Sequence, residues 1–104
     1  MTEDRKIVLS YKTTGGAAEP DAVGRGVMLS NGYDLQSAFE TRGVELATGH
    51  APKYIWIVQE IEPPYAVSLV GLAPAWAEMA MAKYRKALAL WSHCLAANEW
   101  PGYP

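Results

Sequence analysis

The stretch PAWAEMAMAKYRKALALWSHCLAANEW, residues 74–100 of a chain of 104, sets the strongest constraint on the fold. Trp76, Met79, Ala80, Ala87, Leu90, Trp91, Cys94 and Leu95 recur at helical spacing, and Asn98 followed by Pro101 and Gly102 ends the pattern. A chain of this length makes one domain. Such a domain buries roughly 60–65% of its unfolded surface. Half of the residues are hydrophobic, enough for a single core without staples.

The remainder reads as strands and shorter helices. From Arg5 to Thr14, Ile7, Leu9 and Tyr11 alternate with Lys6, Val8, Ser10 and Lys12, which gives a strand with one apolar face and one face carrying Ser10 and Lys12. GGAAEPD breaks it. Pro20 is placed to start a helix of about ten residues with Val23, Val27 and Met28 inward, although Gly24 and Gly26 weaken it. After SNG, the segment YDLQSAFETRGVELATG puts Leu35, Ala38, Phe39 and Leu46 on one helical face and Gln36 and Glu40 one turn apart on the neighbouring stripe, with Gly49 as the stop. KYIWIVQE and YAVSLVGL, joined by IEPP, form a hairpin over residues 54 to 72. The order strand, helix, helix, strand, strand, helix implies a parallel crossover followed by an antiparallel neighbour. The expected fold is mixed α/β: a small three-stranded mixed sheet with packed helices and two open edges.

Composition narrows the function classes. Nine basic against 11 acidic residues give a formal charge of −2, unsuited to a protein whose main task is non-specific grip on phosphates. The one cysteine, Cys94, excludes an internal disulfide and favours a reducing compartment. MTEDRK has no apolar leader, and no stretch approaches 18 apolar residues. The expectation is a cytoplasmic protein of a bacterial host cell, away from membranes.

Four patches, YKTTGGAAEPDAV, YDLQSAFETRGVE, IVQEIEPPYAVSLVGLAP and ALALWSHCLAANEWPGYP, occur in the order and spacing seen in the C-terminal part of RecE-like phage exonucleases of the PD-(D/E)XK superfamily. The chain resembles that family from about Lys6 to Pro104, which implies a truncated PD-(D/E)XK nuclease-like core. In such enzymes two carboxylates hold Mg²⁺, which polarises the phosphate and generates hydroxide. A lysine two residues beyond the second carboxylate points to the same side of the strand.

Carried over by position, the resemblance makes Lys12 the motif lysine, with Thr13 and Thr14 as the hydroxyl residues after it. Gln36 matches the family glutamine. Ser10 stands where the second carboxylate belongs, Glu40 stands in the place of a tyrosine, and the strand with the first metal-binding aspartate has no counterpart here. Asp4 shares the strand parity of Ser10, but six residues of strand separate them by about 20 Å, too far for a shared metal. The expected set is therefore Lys12, Gln36 and Glu40 as a remnant catalytic site, with Ser10, Thr13 and Thr14 beside it and no resident metal. Magnesium enters only if the protein is an enzyme.

Each of these residues also has a plainer reading. Lys12 alone would be a strand-end lysine on a solvated face, and Gln36 and Glu40 a polar pair on a helix surface, with Glu40 free to pair with a nearby Lys or Arg. Adjacent on a helix, His93 and Cys94 point apart, so Cys94 reads as core. His50 lacks spaced metal partners. Trp56 and Trp91 fall on core-facing positions. KYRK, residues 83–86, reads as the wet face of a helix, and EWPGYP folds back as an extended cap, with Trp100 and Tyr103 as candidates for a partner contact.

Two functional expectations follow from the resemblance. The first is a phage- or prophage-encoded, catalytically degenerate homologue that acts by binding, as inhibitors of host defence such as anti-CRISPR proteins do, through a protein partner or a homo-oligomer formed at the open sheet edges. The second is a Mg²⁺-dependent DNA exonuclease, active as an oligomer or as part of a longer chain.

Overall fold

A computed structural model describes residues 1–24 and 28–102, the side chain of Leu29 excepted. Val27, Gly26 and Tyr103 lie outside the described residues. The elements run β1 (Ile7–Thr14), α1 (Pro20–Ala22), α2 (Met28–Ser30), α3 (Tyr33–Thr48), β2 (Lys53–Glu60), β3 (Val67–Val70) and α4 (Pro74–Ala97). The helical reading from Pro20 is represented by the short turns α1 and α2.

The sheet has the order β1-β2-β3. β1 and β2 are parallel, with Ile7 opposite Lys53 and Thr14 opposite Glu60. β2 and β3 are antiparallel, with Trp56 opposite Val70 and Gln59 opposite Val67. The fold is the expected mixed α/β arrangement, and the hairpin closes where the sequence placed it. Its turn holds a cis Pro63–Pro64 peptide, and the Glu60 amide donates to the Ala66 carbonyl at 2.9 Å.

Helix ends follow local chemistry. Gly49 caps α3 with φ 83°, and its amide donates to the Glu45 carbonyl at 2.8 Å. That left-handed conformation costs a side-chain-bearing residue free energy that glycine avoids. Asn98 closes α4 in the same way at φ 51°.

One core forms between the sheet and the short helices, from Ala18, Val23, Met28, Trp56, Val58 and Val70, with Tyr33, Tyr54 and Leu72 packed against it. Trp56 is fully buried on the central strand, as its strand position implied. Removing an indole of this size from water contributes at most about 4–6 kcal/mol, taking roughly 25 cal/mol per Å². The crossover leaving β1 is fastened to β2 and β3: the Ala18 amide donates to a Glu60 carboxylate oxygen at 3.0 Å, and the Ser68 hydroxyl donates to the Ala18 carbonyl.

α4 packs on α3 rather than on the sheet. Phe39 and Tyr84 meet edge to face at 6.0 Å between ring centroids, and the Lys83 ammonium donates to the buried Asp34 carboxylate at 2.6 Å. Lys83 is therefore an inter-helix tether, which corrects its reading as part of a solvated KYRK face. Ala80 and Cys94 are buried on α4 as expected. Trp76, Met79, Leu90, Trp91 and Leu95 remain exposed, as do Phe39 and Leu46 on α3. The reading of Trp91 as core-facing is therefore corrected: of the apolar stripe on α4 only Ala80 and Cys94 are buried, because a single neighbouring helix is too narrow to cover the rest.

Candidate functional site

β1 turns its polar face, not its apolar one, toward the helices. Ser10, Lys12 and Thr14 are half-buried or buried, whereas Leu9, Tyr11 and Thr13 are exposed on the opposite side. Strand alternation then places Tyr54, Trp56 and Val58 of β2 on the helix-facing side as well, since parallel partners point the same way. α3 reaches over this surface.

Three of the residues expected in the site, Ser10, Gln36 and Glu40, are brought together through Tyr54, and Lys12 on the same strand face meets Tyr33; the sequence singled out neither tyrosine. The Gln36 amide donates to Glu40 Oε1 at 3.1 Å, one turn along α3. The Tyr54 hydroxyl donates to Glu40 Oε2 at 2.5 Å. Ser10 shares a hydrogen bond with the same hydroxyl, and the Lys12 ammonium sits 4.7 Å from the centroid of the Tyr33 ring, at the first residue of α3. Lys12 is thus not a freely solvated strand-end lysine, and Glu40 takes a tyrosine as partner rather than a base. Burial first, and the hydrogen bond to the Glu40 carboxylate second, push the Tyr54 phenol up to about 12, while the bond with Ser10 pulls the other way. Both effects on the upward side favour the neutral phenol. Tyr54 then serves as a fixed donor to the carboxylate.

Tyr54 carried a readable signal, since it shares strand parity with Trp56. Its pairing with Glu40 on α3 carried none, although Glu40 itself was singled out. The two rings lie 4.8 Å apart, so the phenol is held between the core indole and the polar cluster.

The other expected residues lie elsewhere. Thr14 is structural: its hydroxyl accepts from the Gly16 amide at 3.1 Å, and its carbonyl accepts from the Ile61 amide at 3.1 Å. Thr13 is on the bare face of the sheet. Trp100 packs edge-on against Trp91 with ring centroids 5.0 Å apart, so this residue lies back against α4, while Tyr103 lies outside the described residues. Asp4 is spent on the N-terminal turn, accepting from the Thr2 hydroxyl at 2.6 Å and the Lys6 amide at 3.0 Å. Those bonds, the Thr2 one foremost, hold its carboxyl below the usual range.

The donor set does not fit Mg²⁺. A hard cation of this kind takes near-octahedral oxygen coordination, usually including one or two carboxylates. Here one carboxylate, Glu40, has both oxygens engaged by Gln36 and Tyr54. The hydroxyl of Ser10 is neutral and engaged with Tyr54. The cluster is a closed hydrogen-bonded network with a cation at its margin.

In comparisons with known proteins, no protein-family model matches the chain and no curated protein matches its sequence. Among the described residues, no helix is long and apolar enough to cross a membrane.

Proposed function

We propose that this chain is a catalytically degenerate, RecE-like relative of the PD-(D/E)XK nucleases that acts by binding, as a phage- or prophage-encoded inhibitor of a host defence complex. The observation that carries the reading is the Glu40 carboxylate. In the family's hydrolytic site two carboxylates hold the metal; here Ser10 stands in the second carboxylate's place, and Glu40, each oxygen of which already accepts a hydrogen bond from Gln36 or Tyr54, is the one acid of the cluster. Ser10 and Lys12 keep their strand spacing beside it, which supports descent from a nuclease strand without supplying a second ligand. Partner binding is supported by the open edges of β1 and β3 and by the net charge of −2, which suit a protein surface better than DNA.

The test is a nuclease assay on linear DNA with Mg²⁺ or Mn²⁺, comparing the protein with Lys12→Ala. The expected result is no degradation by either. Degradation by the parent that disappears in Lys12→Ala would establish the exonuclease reading instead. A second arm adds the protein to reconstituted defence complexes, and complexes that cut their targets at an unchanged rate and retain none of the protein would remove the inhibitor reading.

A further inference from the structure

Among the described residues, the second face of the sheet has no cover. Leu9 and Tyr11 of β1, Ile55 and Ile57 of β2, and Val67 and Leu69 of β3 share it by register, and Leu69 is 65% exposed. α3 lies on the opposite side, and α4 is held on α3 by Lys83 and Tyr84, so neither long helix covers this face. Domains are stable when such a face is buried against a second layer.

The dimensions point the same way. A folded monomer of 11.4 kDa exposes about 5,800 Å², whereas this chain exposes 7416 Å². The surplus is roughly twice the 800 Å² or so that each partner gives to a standard interface. The radius of gyration is 16.0 Å, against about 13 Å for a compact domain of this length. One standard interface on the sheet would remove about half of that surplus and leave the rest over α4.

We propose that the bare face of β1-β2-β3 is the interface of a homodimer, with the same face of a second copy packed against it as a two-sheet sandwich. The face suits its own image. Its centre is uncharged, and Lys53 lies at one end, so a two-fold pairing brings no like charges into the middle. Two of its polar groups are joined to each other, the Tyr11 hydroxyl donating to the Gln59 side-chain oxygen at 2.5 Å, and Thr13 lies one residue from the end of β1, toward the rim of the face. Two twisted sheets stack about 10 Å apart with interdigitating side chains. This contact uses the sheet face, not the strand edges, and does not depend on the proposed function.

Sedimentation equilibrium of the protein near 100 µM (roughly the range where weak dimers form) should give twice the 11.4 kDa of one chain. Leu69→Lys should give the single-chain mass with unchanged circular dichroism, and Leu90→Lys on α4 should leave the dimer intact. The unmodified protein provides a second measurement: a soluble nitroxide should spare the methyl signals of Ile55, Ile57 and Leu69 and attenuate those of Leu90. A single-chain mass at that concentration, with the sheet methyls attenuated as strongly as Leu90, would overturn the proposal and leave the face to a different protein. A dimer abolished by Leu90→Lys but not by Leu69→Lys would overturn it in favour of α4.

Discussion

The Tyr54 hydroxyl donates a 2.5 Å hydrogen bond to the Glu40 carboxylate, joining the central strand to α3 across the polar face of the sheet. The Tyr54 proton is thereby linked to stability. In the unfolded chain the phenol ionises near 10, and in the folded protein near 12. Below pH 10 both states keep the proton and the contribution is complete; between the two values only the unfolded chain loses it, so stability falls as pH rises. Denaturation midpoints should decline over that interval, and Tyr54→Phe should flatten the decline. A decline unchanged in the variant would assign the effect to other groups.

Lys83 and Asp34 form a half-buried ion pair, with the carboxylate 3% and the lysine 48% exposed. Asp34 Oδ1 has no partner among the described residues, so the carboxylate depends on the lysine. Removing Lys83 alone strands a buried charge, whereas replacing both ends is milder. Lys83→Met should cost about 1–3 kcal/mol, between the surface and fully buried ranges. A double-mutant cycle with Asp34→Leu should show coupling above about 1 kcal/mol. Coupling near zero would make the pair an ordinary surface contact.

Much of the fold was readable because it depends on local pattern. The β2–β3 hairpin, α3 with its stop at Gly49, and α4 with its stop at Asn98 all have boundaries written in turn and cap residues. What pattern could not supply was which surface each element meets. Alternation in β1 separated Leu9 and Tyr11 from Ser10 and Lys12, but only the position of α3 decides that the polar set faces inward. In the site, the Gln36–Glu40 pair is local to one helix and was visible. The Tyr54–Glu40 and Lys12–Tyr33 contacts join distant segments, and no spacing rule announces them.

Gly49 offers a test free of packing effects. A Cβ placed on it meets nothing within 4 Å, yet φ is 83°. Gly49→Ala should therefore lose stability from backbone strain alone, roughly 1 kcal/mol. An equal or higher unfolding midpoint would show that the end of α3 rearranges at no cost.

Divalent metal should not stabilise the protein. A site binding Mg²⁺ with a dissociation constant of about 1 mM would add about 1.4 kcal/mol at about 10 mM metal, several degrees in a domain of this size. With Gln36 and Tyr54 holding the Glu40 carboxylate, the expected shift is none beyond that produced by matched ionic strength. A specific shift abolished by Glu40→Gln would reinstate the site as a metal centre.

The parallel pairing of β1 with β2 also sets an order of assembly. β2 and β3 are neighbours in the chain and can meet through a short turn, whereas Ile7 must find Lys53 across roughly 40 residues of intervening helix and loop. β1 leaves the ribosome before β2, so its hydrogen bonds wait until that partner follows. At about 5–20 residues per second, IVLSYKTT waits some seconds for its partner. For a nascent chain, that wait is the interval in which the N-terminal strand is open to pairing with another molecule, and the stretch carrying Ser10 and Lys12 is the part most exposed to that risk.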